Sequence, residues 1–294
     1  MAVMKNLAFI QRNNQSHWVG DGFPVRSIFS YSEHAAELSP FLLLDYGGPT
    51  TFPPTTERRG VGAHPHRGFE TVTIVYSGEV EHRDSSGGGG RIGPGDVQWM
   101  TAGAGVVHEE FHEKEYSKKG GPFEMIQLWV NLPKKDKMAD PRYQSITTET
   151  IPRVALAGSA GFVRVIAGRY GEATGPARTF TPINLWDVRL KARAQVEFQT
   201  IPGHTTALFV LNGYLRLASG QQVNGAELAV LERDGDRFKI EAQEDSTILL
   251  LNGEPIDEPV VGYGPFVMNT IEEIQQAFTD YKGGRFSRLP MEMS

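Results

Sequence analysis

The sequence predicts an all-β protein that ends in one α-helix. Hydrophobic and polar residues alternate, as they do in strands with one buried face, in residues 71–80, 97–101, 124–132, 185–190 and 208–217. The chain also spreads 33 glycines and 18 prolines along 294 residues, as many short strands joined by tight turns require. It contains no cysteine, so the fold depends on burial and hydrogen bonding without disulfides.

The two halves of the chain contain a weak internal repeat. The segment 72–80 aligns with the segment 207–215, and each holds an apolar strand followed by an aligned glycine. Repeats of this kind indicate a structural unit that occurs twice. We therefore predict two β-barrels of the same kind, one in each half of the chain.

The boundary between the two predicted barrels falls near the middle of the chain. Residues 133–145 lose the alternation, gain charge and contain two prolines, which predicts a linker. The predicted domains are thus an N-terminal barrel over 1–132 and a C-terminal barrel over 146–294. Three lysines of this linker are predicted to form a solvated surface: Lys134, Lys135 and Lys137.

The single predicted helix lies at the C-terminal end and belongs to the second barrel. Asn269 or Thr270 can act as its N-cap, and Glu272 and Glu273 place negative charge in the first turn. Gly283 ends the helical pattern. Four apolar residues are predicted to form its buried stripe: Ile271, Ile274, Phe278 and Tyr281.

Histidines and carboxylates concentrate between Gly62 and Glu110 in a pattern that favours a metal site. In an extended strand, residues an even number of positions apart lie on the same face and so have the same strand parity. His64 and His66 form one such pair, and His108 and Glu110 form another. Glu70 has the parity of the first pair, so either carboxylate can face inward. Imidazole nitrogens with a carboxylate suit divalent iron, copper, nickel, manganese or zinc, whereas calcium and magnesium need more oxygen. The alternative is that each histidine only makes ordinary hydrogen bonds.

Composition and charge exclude several classes of protein. The formal net charge is −6 and the pI is near 5.8, which argues against direct nucleic-acid binding. No stretch has the length of a membrane-spanning helix, and the apolar patch at the N-terminus is too short for a signal peptide. We expect a cytoplasmic protein that does not interact with membranes.

Several motifs resemble those of the pirin family, which belongs to the cupin superfamily. The resemblance covers nearly the whole chain and rests on these segments: 64–73 (HPHRGFETVT), 78–85 (GEVEHRDS), 92–100 (IGPGDVQWM), 101–103 before His108, 127–133 (QLWVNLP) and 264–270 (GPFVMNT). The family resemblance implies two tandem cupin barrels, that is, a bicupin.

The resemblance also implies a set of metal ligands. Many cupins use the glutamate at the position of Glu70, whereas pirins are implied to use the one two residues after the last histidine. The implied set is therefore His64, His66, His108 and Glu110. Glu109 has the opposite parity and is expected to point to solvent, and His112 has the right parity for a spare ligand.

The second barrel is expected to hold no metal. The repeat places Gln199 and Ile201 where the first barrel has its paired histidines, and these side chains cannot replace two imidazoles. His204 follows Pro202 and Gly203, so we predict that it is a turn residue.

The resemblance implies an activity for the first barrel. Bacterial pirins are linked to quercetin 2,3-dioxygenase chemistry, in which Fe(II) and O2 cleave the central ring of a flavonol and release carbon monoxide. Glu110 would then serve as the general base that removes the substrate's hydroxyl proton. Aromatic and thioether side chains on the same strands could line the substrate pocket or fill the core: Phe69, Trp99, Met100, Phe111, Phe123, Met125 and Trp129.

The family also implies a second class of function. Some pirins are linked to regulation of transcription or of metabolic enzymes, where the metal would sense redox state and a protein partner would be bound. The acidic charge balance suits a protein partner better than DNA. In either case we expect a monomer.

Overall fold

The computed structural model describes residues 3–286, and most of this chain is β-strand. In chain order the strands are β1 (Leu7–Arg12), β2 (His17–Val19), β3 (Phe23–Ser30), β4 (Phe41–Phe52), β5 (Gly60–His66), β6 (Phe69–Ser77), β7 (Val80–Asp84), β8 (Gly89–Ile92), β9 (Val97–Thr101), β10 (Val106–His112), β11 (Gly121–Asn131), β12 (Arg142–Ile146), β13 (Arg153–Ala155), β14 (Gly161–Ala167), β15 (Arg169–Tyr170), β16 (Ala173–Thr174), β17 (Ile183–Leu190), β18 (Gln195–Gln199), β19 (Thr205–Asn212), β20 (Tyr214–Leu217), β21 (Gln222–Asn224), β22 (Glu227–Leu231), β23 (Arg237–Ala242), β24 (Ser246–Gly253), β25 (Val261–Tyr263) and β26 (Phe266–Met268). The α-helices in this part of the chain are α1 (Tyr31–Leu38), α2 (Lys114–Lys119) and α3 (Ile271–Lys282). This content confirms the predicted all-β fold with a C-terminal helix. Within residues 3–286, every α-helix is too short or too polar to cross a membrane.

The described chain divides into two compact units. The histidine-rich unit contains residues 15–35, 41–148 and 256–286. The histidine-poor unit contains residues 3–14, 36–40 and 149–255. The chain therefore passes between the units more than once.

The histidine-rich unit consists of two antiparallel sheets around a shared core. One sheet has seven strands in the order β12-β9-β6-β11-β4-β3-β2, and the other has four in the order β5-β10-β7-β8. Apolar side chains from both sheets form one cluster that includes Phe23, Val25, Phe52, Val75, Val80, Ile92, Phe123 and Met125. The two sheets thus enclose a barrel interior, and side chains of matching parity point into it.

The histidine-poor unit repeats this architecture. Its seven-stranded sheet has the order β1-β22-β19-β24-β17-β14-β13, and its four-stranded sheet the order β18-β23-β20-β21. Its core again draws on both sheets and includes Val163, Trp186, Phe198, Leu208, Leu215, Val223, Phe238 and Leu250. The predicted second barrel is therefore confirmed.

The compact units differ from the predicted domains of 1–132 and 146–294 at both ends of the chain. Strand β1 pairs with β22 and belongs to the histidine-poor unit, whereas helix α3 belongs to the histidine-rich unit. The predicted linker 133–145 also differs, because β12 begins inside it and pairs with β9. The alternation pattern identifies strands but does not say which sheet they join.

Helix α3 begins and ends as predicted, but its buried face includes only Ile274 and Phe278 of the predicted stripe, together with Ala277 and Asp280. The hydroxyl of Thr270 accepts a hydrogen bond from the backbone of Glu273, whose side chain completes a capping box. Ile274 is buried, whereas Ile271 is 62% exposed. The guanidinium of Arg67 donates to Asp280 at 2.7 Å, which turns that side of the helix toward the protein.

Lys137 is buried, which corrects the prediction that it forms part of a solvated lysine surface. Its ammonium donates to the carbonyl oxygens of Gly68 and Val267 at 2.8 and 2.9 Å. It also donates to the side-chain oxygen of Asn131 at 2.8 Å. Burial lowers the pKa of Lys137 to about 7. Lys137 therefore links the turn before β6 to strand β26.

We expect Lys137→Met to destabilise the protein by about 3 kcal/mol, because it leaves three buried acceptors without a donor. The exposed Lys135 supplies the matched control, and Lys135→Met should change stability by less than about 0.5 kcal/mol. Urea unfolding of both variants measures the difference. Equal unfolding midpoints would contradict the structural role of Lys137.

Candidate metal centre

Three neighbouring strands of the four-stranded sheet carry the site. Strand β10 lies between β5 and β7, so that His108 pairs with His64 on one side and with Asp84 on the other. Glu110 pairs with His82 in the same register. Residues directly opposite in antiparallel strands have Cβ atoms about 5 Å apart. The register therefore brings side chains from distant positions in the sequence to one place.

A bulge in β5 helps to orient His64. His108 pairs with His64 and Glu110 with Val61, so three steps along β5 match two along β10. Such an extra residue bends a strand and redirects its side chains. As a result, the Gly62 carbonyl oxygen lies 2.8 Å from Nδ1 of His64.

The structure brings three of the predicted residues into one tight group. Potential ligand atoms of His64, His66 and His108 all lie within 4.8 Å of one another. The ring centroids are 4.3 Å apart for His64 and His108, and 4.9 Å apart for His66 and His108. Glu110 belongs to an overlapping group with His82 and His108, within the same 4.8 Å limit. His108 is therefore the member common to both groups.

The hydrogen bonds of the three clustered rings involve the same nitrogen. Nδ1 of His64 lies against the Gly62 carbonyl, and Nδ1 of His66 lies 3.2 Å from the carbonyl of Pro265. Nδ1 of His108 lies 3.3 Å from a ring nitrogen of His82. In contrast, the buried Nε2 of His108 has no hydrogen-bond partner among residues 3–286. A buried polar atom of this kind requires an explanation, and a metal ion bound by Nε2 would provide one.

Burial and mutual proximity keep the imidazoles of His66 and His108 neutral. Burial, reinforced by His64, lowers the pKa of His66 to about 3. The pKa of His108 also lies well below its usual value, because of burial and of the neighbouring His64, His66 and His82. At neutral pH both rings keep a lone pair free, as a metal ligand must.

The carboxylate of Glu110 is held by neutral side chains. Its Oε1 accepts a hydrogen bond from Gln98 Nε2 at 2.8 Å and lies 3.2 Å from the Thr73 hydroxyl, whose single proton it shares with Gln127 Oε1 at 2.6 Å. Its Oε2 accepts from Gln127 Nε2 at 3.3 Å. Hydrogen bonds to a charged acceptor fix its position and stabilise the charge. Glu110 is thus an oriented anion beside the imidazole group.

Glu70 lies on the other face of its strand. Thr73, three residues further along β6, reaches Glu110, so Glu70 points away from that side chain. It accepts a hydrogen bond from the Thr101 hydroxyl at 2.6 Å and lies 3.7 Å from Arg142. Burial raises the pKa of Glu70 to about 7, although these partners oppose the shift. Glu70 belongs to neither of the two groups that could hold a metal ion.

His82 is the site residue that sequence reasoning missed. It lies on β7 next to the group, with a ring centroid 5.1 Å from that of His108. A signal was present, because His82 and Asp84 share one strand parity and can both point into the barrel. The predicted ligand set comes from β5 and β10 and includes neither residue.

Two other side chains of β10, His112 and Glu109, differ from their predicted roles. Nε2 of His112 donates to the Gly22 carbonyl oxygen, 2.8 Å away, and the His112 ring stacks on Phe123 with centroids 4.7 Å apart. It therefore belongs to an aromatic cluster and to neither potential metal group. Glu109 lies on the opposite face as predicted, but it is buried and pairs with Arg83 at 2.5 Å. The Glu109 carboxylate is thus paired with an arginine and does not face solvent.

The C-terminal segment completes the surroundings of His66. The Pro265 carbonyl approaches His66, and the backbone N–H of Val267 donates to the Arg67 carbonyl at 3.1 Å. The Arg67 guanidinium in turn binds Asp280 of α3. The segment after residue 256 is therefore part of the candidate metal centre.

Both groups that could hold a metal ion within residues 3–286 lie in the histidine-rich unit. In the histidine-poor unit, the backbone N–H of His204 donates to the Ile201 carbonyl at 3.2 Å, as expected of a turn residue. The Ile201 side chain is exposed. That this unit binds no metal stays a prediction.

Comparisons with known proteins give consistent matches. The family model described as Pirin matches residues 22–130, and the model described as Pirin C-terminal cupin domain matches residues 185–287. A Pseudomonas aeruginosa protein, named provisionally as a quercetin 2,3-dioxygenase, is 57% identical over 285 residues. That alignment covers 97% of this chain and 99% of the relative.

Solved structures share the fold. A crystal structure of quercetin 2,3-dioxygenase from Acinetobacter baumannii has a TM-score of 0.94 and 53% sequence identity, covering 97% of this chain and 99% of the other. A bacterial pirin from Escherichia coli, solved in complex with nickel(II), has a TM-score of 0.65 and 20% identity, covering 84% and 99% of the two chains. The second likeness supports the fold alone.

Proposed function

The chain belongs to the pirin family, and on that premise we propose that it is an iron-dependent dioxygenase that cleaves the central ring of a flavonol such as quercetin. Both atoms of O2 would remain in the ring-opened product, and one ring carbon would leave with its oxygen as carbon monoxide. The names of the Pseudomonas aeruginosa and Acinetobacter baumannii relatives support this reaction class.

The proposed ligands are His64, His66, His108 and Glu110. The observation that carries this assignment is the buried Nε2 of His108, which lacks a partner among residues 3–286 and lies within a group of three imidazoles. Three imidazole nitrogens and one carboxylate suit divalent iron, and they also suit nickel, copper, manganese or zinc. Divalent iron can take up to six ligands, so four protein ligands would leave one or two positions open for substrate.

Iron bound there would supply a Lewis acid that makes the substrate's hydroxyl more acidic, together with the redox chemistry that O2 requires. The protein's own contribution is the proton acceptor. Glu110 would take the proton from the 3-hydroxyl of the flavonol, with Oε2 the less occupied of its two oxygens. Gln98 and Thr73 hold Oε1 and so keep the carboxylate in one orientation.

Aromatic side chains provide an apolar side to the site. Phe69 and Trp129 stack on each other with ring centroids 4.3 Å apart. Both rings also pack against His66, at 5.1 and 5.3 Å. An apolar wall beside a few fixed polar groups suits a flat aromatic substrate.

The test is oxygenation by metal-reconstituted protein. Protein stripped with a chelator is reloaded with Fe(II) and incubated with quercetin in air. We expect the flavonol absorbance to fall at a rate proportional to bound iron, with about one carbon monoxide released per flavonol consumed. Removal of oxygen or addition of a chelator should stop the reaction.

Protein loaded with Zn(II) is the matched control, because zinc is a Lewis acid without redox chemistry and should give no turnover. Parallel loading with nickel, copper and manganese identifies the active metal. An iron-loaded protein that leaves quercetin and related flavonols intact would contradict the proposal.

A further inference from the structure

We infer that His82, held by Asp84, is a positioning residue that fixes the tautomer of His108 and so directs the Nε2 lone pair of His108 to the metal. This inference rests on the proposed metal centre and concerns its strength and electronic character. It also explains the overlap between the two groups that share His108.

Asp84 determines the tautomer of His82. Oδ1 of Asp84 accepts from the backbone and hydroxyl of Ser86 at 2.8 and 2.6 Å, and from the backbone of Gly88 at 3.0 Å. This leaves Oδ2, which lies 3.1 Å from Nε2 of His82. Both side chains are fully buried, so no water competes for this contact. A carboxylate only accepts, so the His82 proton resides on Nε2 and its Nδ1 is an acceptor.

The acceptor on His82 then determines the tautomer of His108. Nδ1 of His82 lies 3.0 Å from the side-chain nitrogen of Gln98, a donor, and 3.3 Å from Nδ1 of His108. Two acceptors cannot bond, so Nδ1 of His108 carries its proton and shares the His82 acceptor with Gln98. The lone pair of His108 is then on Nε2, the nitrogen without a partner among residues 3–286.

The same arrangement recurs at the other two rings. Nδ1 of His64 and of His66 each lies against a carbonyl oxygen, which only accepts. All three rings are therefore anchored through Nδ1–H and available through Nε2. His108 differs only in that its acceptor is a histidine backed by a carboxylate, which should make the Nε2 atom of His108 a stronger metal ligand.

His82 itself is unsuited to metal binding, although its ring lies close enough. Both of its ring nitrogens have partners, Asp84 on one side and Gln98 with His108 on the other. Tyr143 stacks on the His82 ring with centroids 5.0 Å apart and planes 17° apart, which also fixes its orientation. Moving His82 onto a metal would break all of these contacts.

Asp84→Asn tests the inference directly. The three donors around Oδ1 should retain the amide oxygen there, so the amide nitrogen would face His82 and force the opposite tautomer. Nδ1 of His82 would then carry a proton that faces the Nδ1 proton of His108, so the hydrogen bond between the two rings would be lost. We expect Co(II) affinity, measured by chelator competition, to fall about 10- to 100-fold.

In Co(II)-loaded wild-type protein, proton NMR should resolve three exchangeable, paramagnetically shifted N–H signals, one of which should disappear in Asp84→Asn.

A pair of variants at the neighbouring position supports the test if Asp84→Asn fails to fold. His82→Gln retains an acceptor for His108, whereas His82→Leu removes it, so Co(II) affinity should be weaker in the Leu variant. His112→Gln is the control, since it alters a buried histidine of β10 that lies outside both metal groups. It should keep the wild-type affinity and all three signals.

The outcomes separate this inference from the proposed function. Failure of wild-type protein to bind Co(II) would contradict the proposed metal centre itself and, with it, the role of His82. If wild type binds but Asp84→Asn and His82→Leu retain the same affinity and three N–H signals, His82 does not position His108. Four shifted N–H signals in wild type would overturn the inference as well, because His82 would then be a ligand.

Discussion

Replacing His64 and His66 together by alanine should abolish metal binding while leaving the fold intact. The two side chains supply half of the four proposed ligands, and neither lies in the apolar cluster around Phe23 and Phe123 that joins the two sheets. We expect metal content to fall from about one ion per chain to less than about a tenth of that value. Elemental analysis after dialysis measures the loss, and far-UV circular dichroism reports on the sheets.

His17→Ala is the control for this experiment, because His17 is exposed on β2 and lies outside both potential metal groups. It should retain the full metal content. A double variant that still holds one ion per chain would show that the metal binds elsewhere.

Local sequence patterns are sufficient to predict much of the fold. The alternation over residues 97–101 matches β9, and the alternation over 185–190 lies within β17. The capping residues predict the start of α3 within one position. These features depend on backbone periodicity and on hydrogen bonds between near neighbours, which the sequence shows directly.

Features that depend on tertiary contacts could not be predicted in this way. Helix α3 packs in the histidine-rich unit because Asp280 binds Arg67, a partner more than 200 positions away in the sequence. The burial of Lys137 likewise requires acceptors from the turn at Gly68 and from β26. An isolated lysine among charged neighbours gives no sign of such partners.

The choice between the two carboxylates shows where strand parity fails. His66 ends β5 and Glu70 lies in β6, so the turn between them breaks the alternation that the parity argument assumed. Gly68 adopts a φ of +87°, and a Cβ there would lie 2.0 Å from the Val267 carbonyl oxygen. The turn therefore needs glycine, and after it Glu70 and Thr73 point to opposite faces.

This difference in orientation predicts a large effect for one of two matched substitutions and a small effect for the other. Glu110→Gln removes the anionic ligand and the proton acceptor together, so we expect weaker metal retention and a fall in flavonol turnover of about a thousandfold. Glu70→Gln removes a carboxyl group on the other face of β6. Its metal content and turnover should stay within about threefold of wild type.

Glu70→Gln should nevertheless change the pH dependence of stability in the metal-free protein. Burial raises the pKa of Glu70 to about 7, above the value near 4.5 expected in the unfolded chain. Between these values the folded state holds the proton more tightly, so wild-type stability should fall as the pH rises from 4.5 to 7. Glutamine cannot ionise, so the free energy of unfolding of the variant, measured with urea, should fall by about 3 kcal/mol less than that of wild type over this pH range.

If Glu70→Gln loses the metal and Glu110→Gln keeps it, Glu70 is the ligand and the orientation argument is wrong.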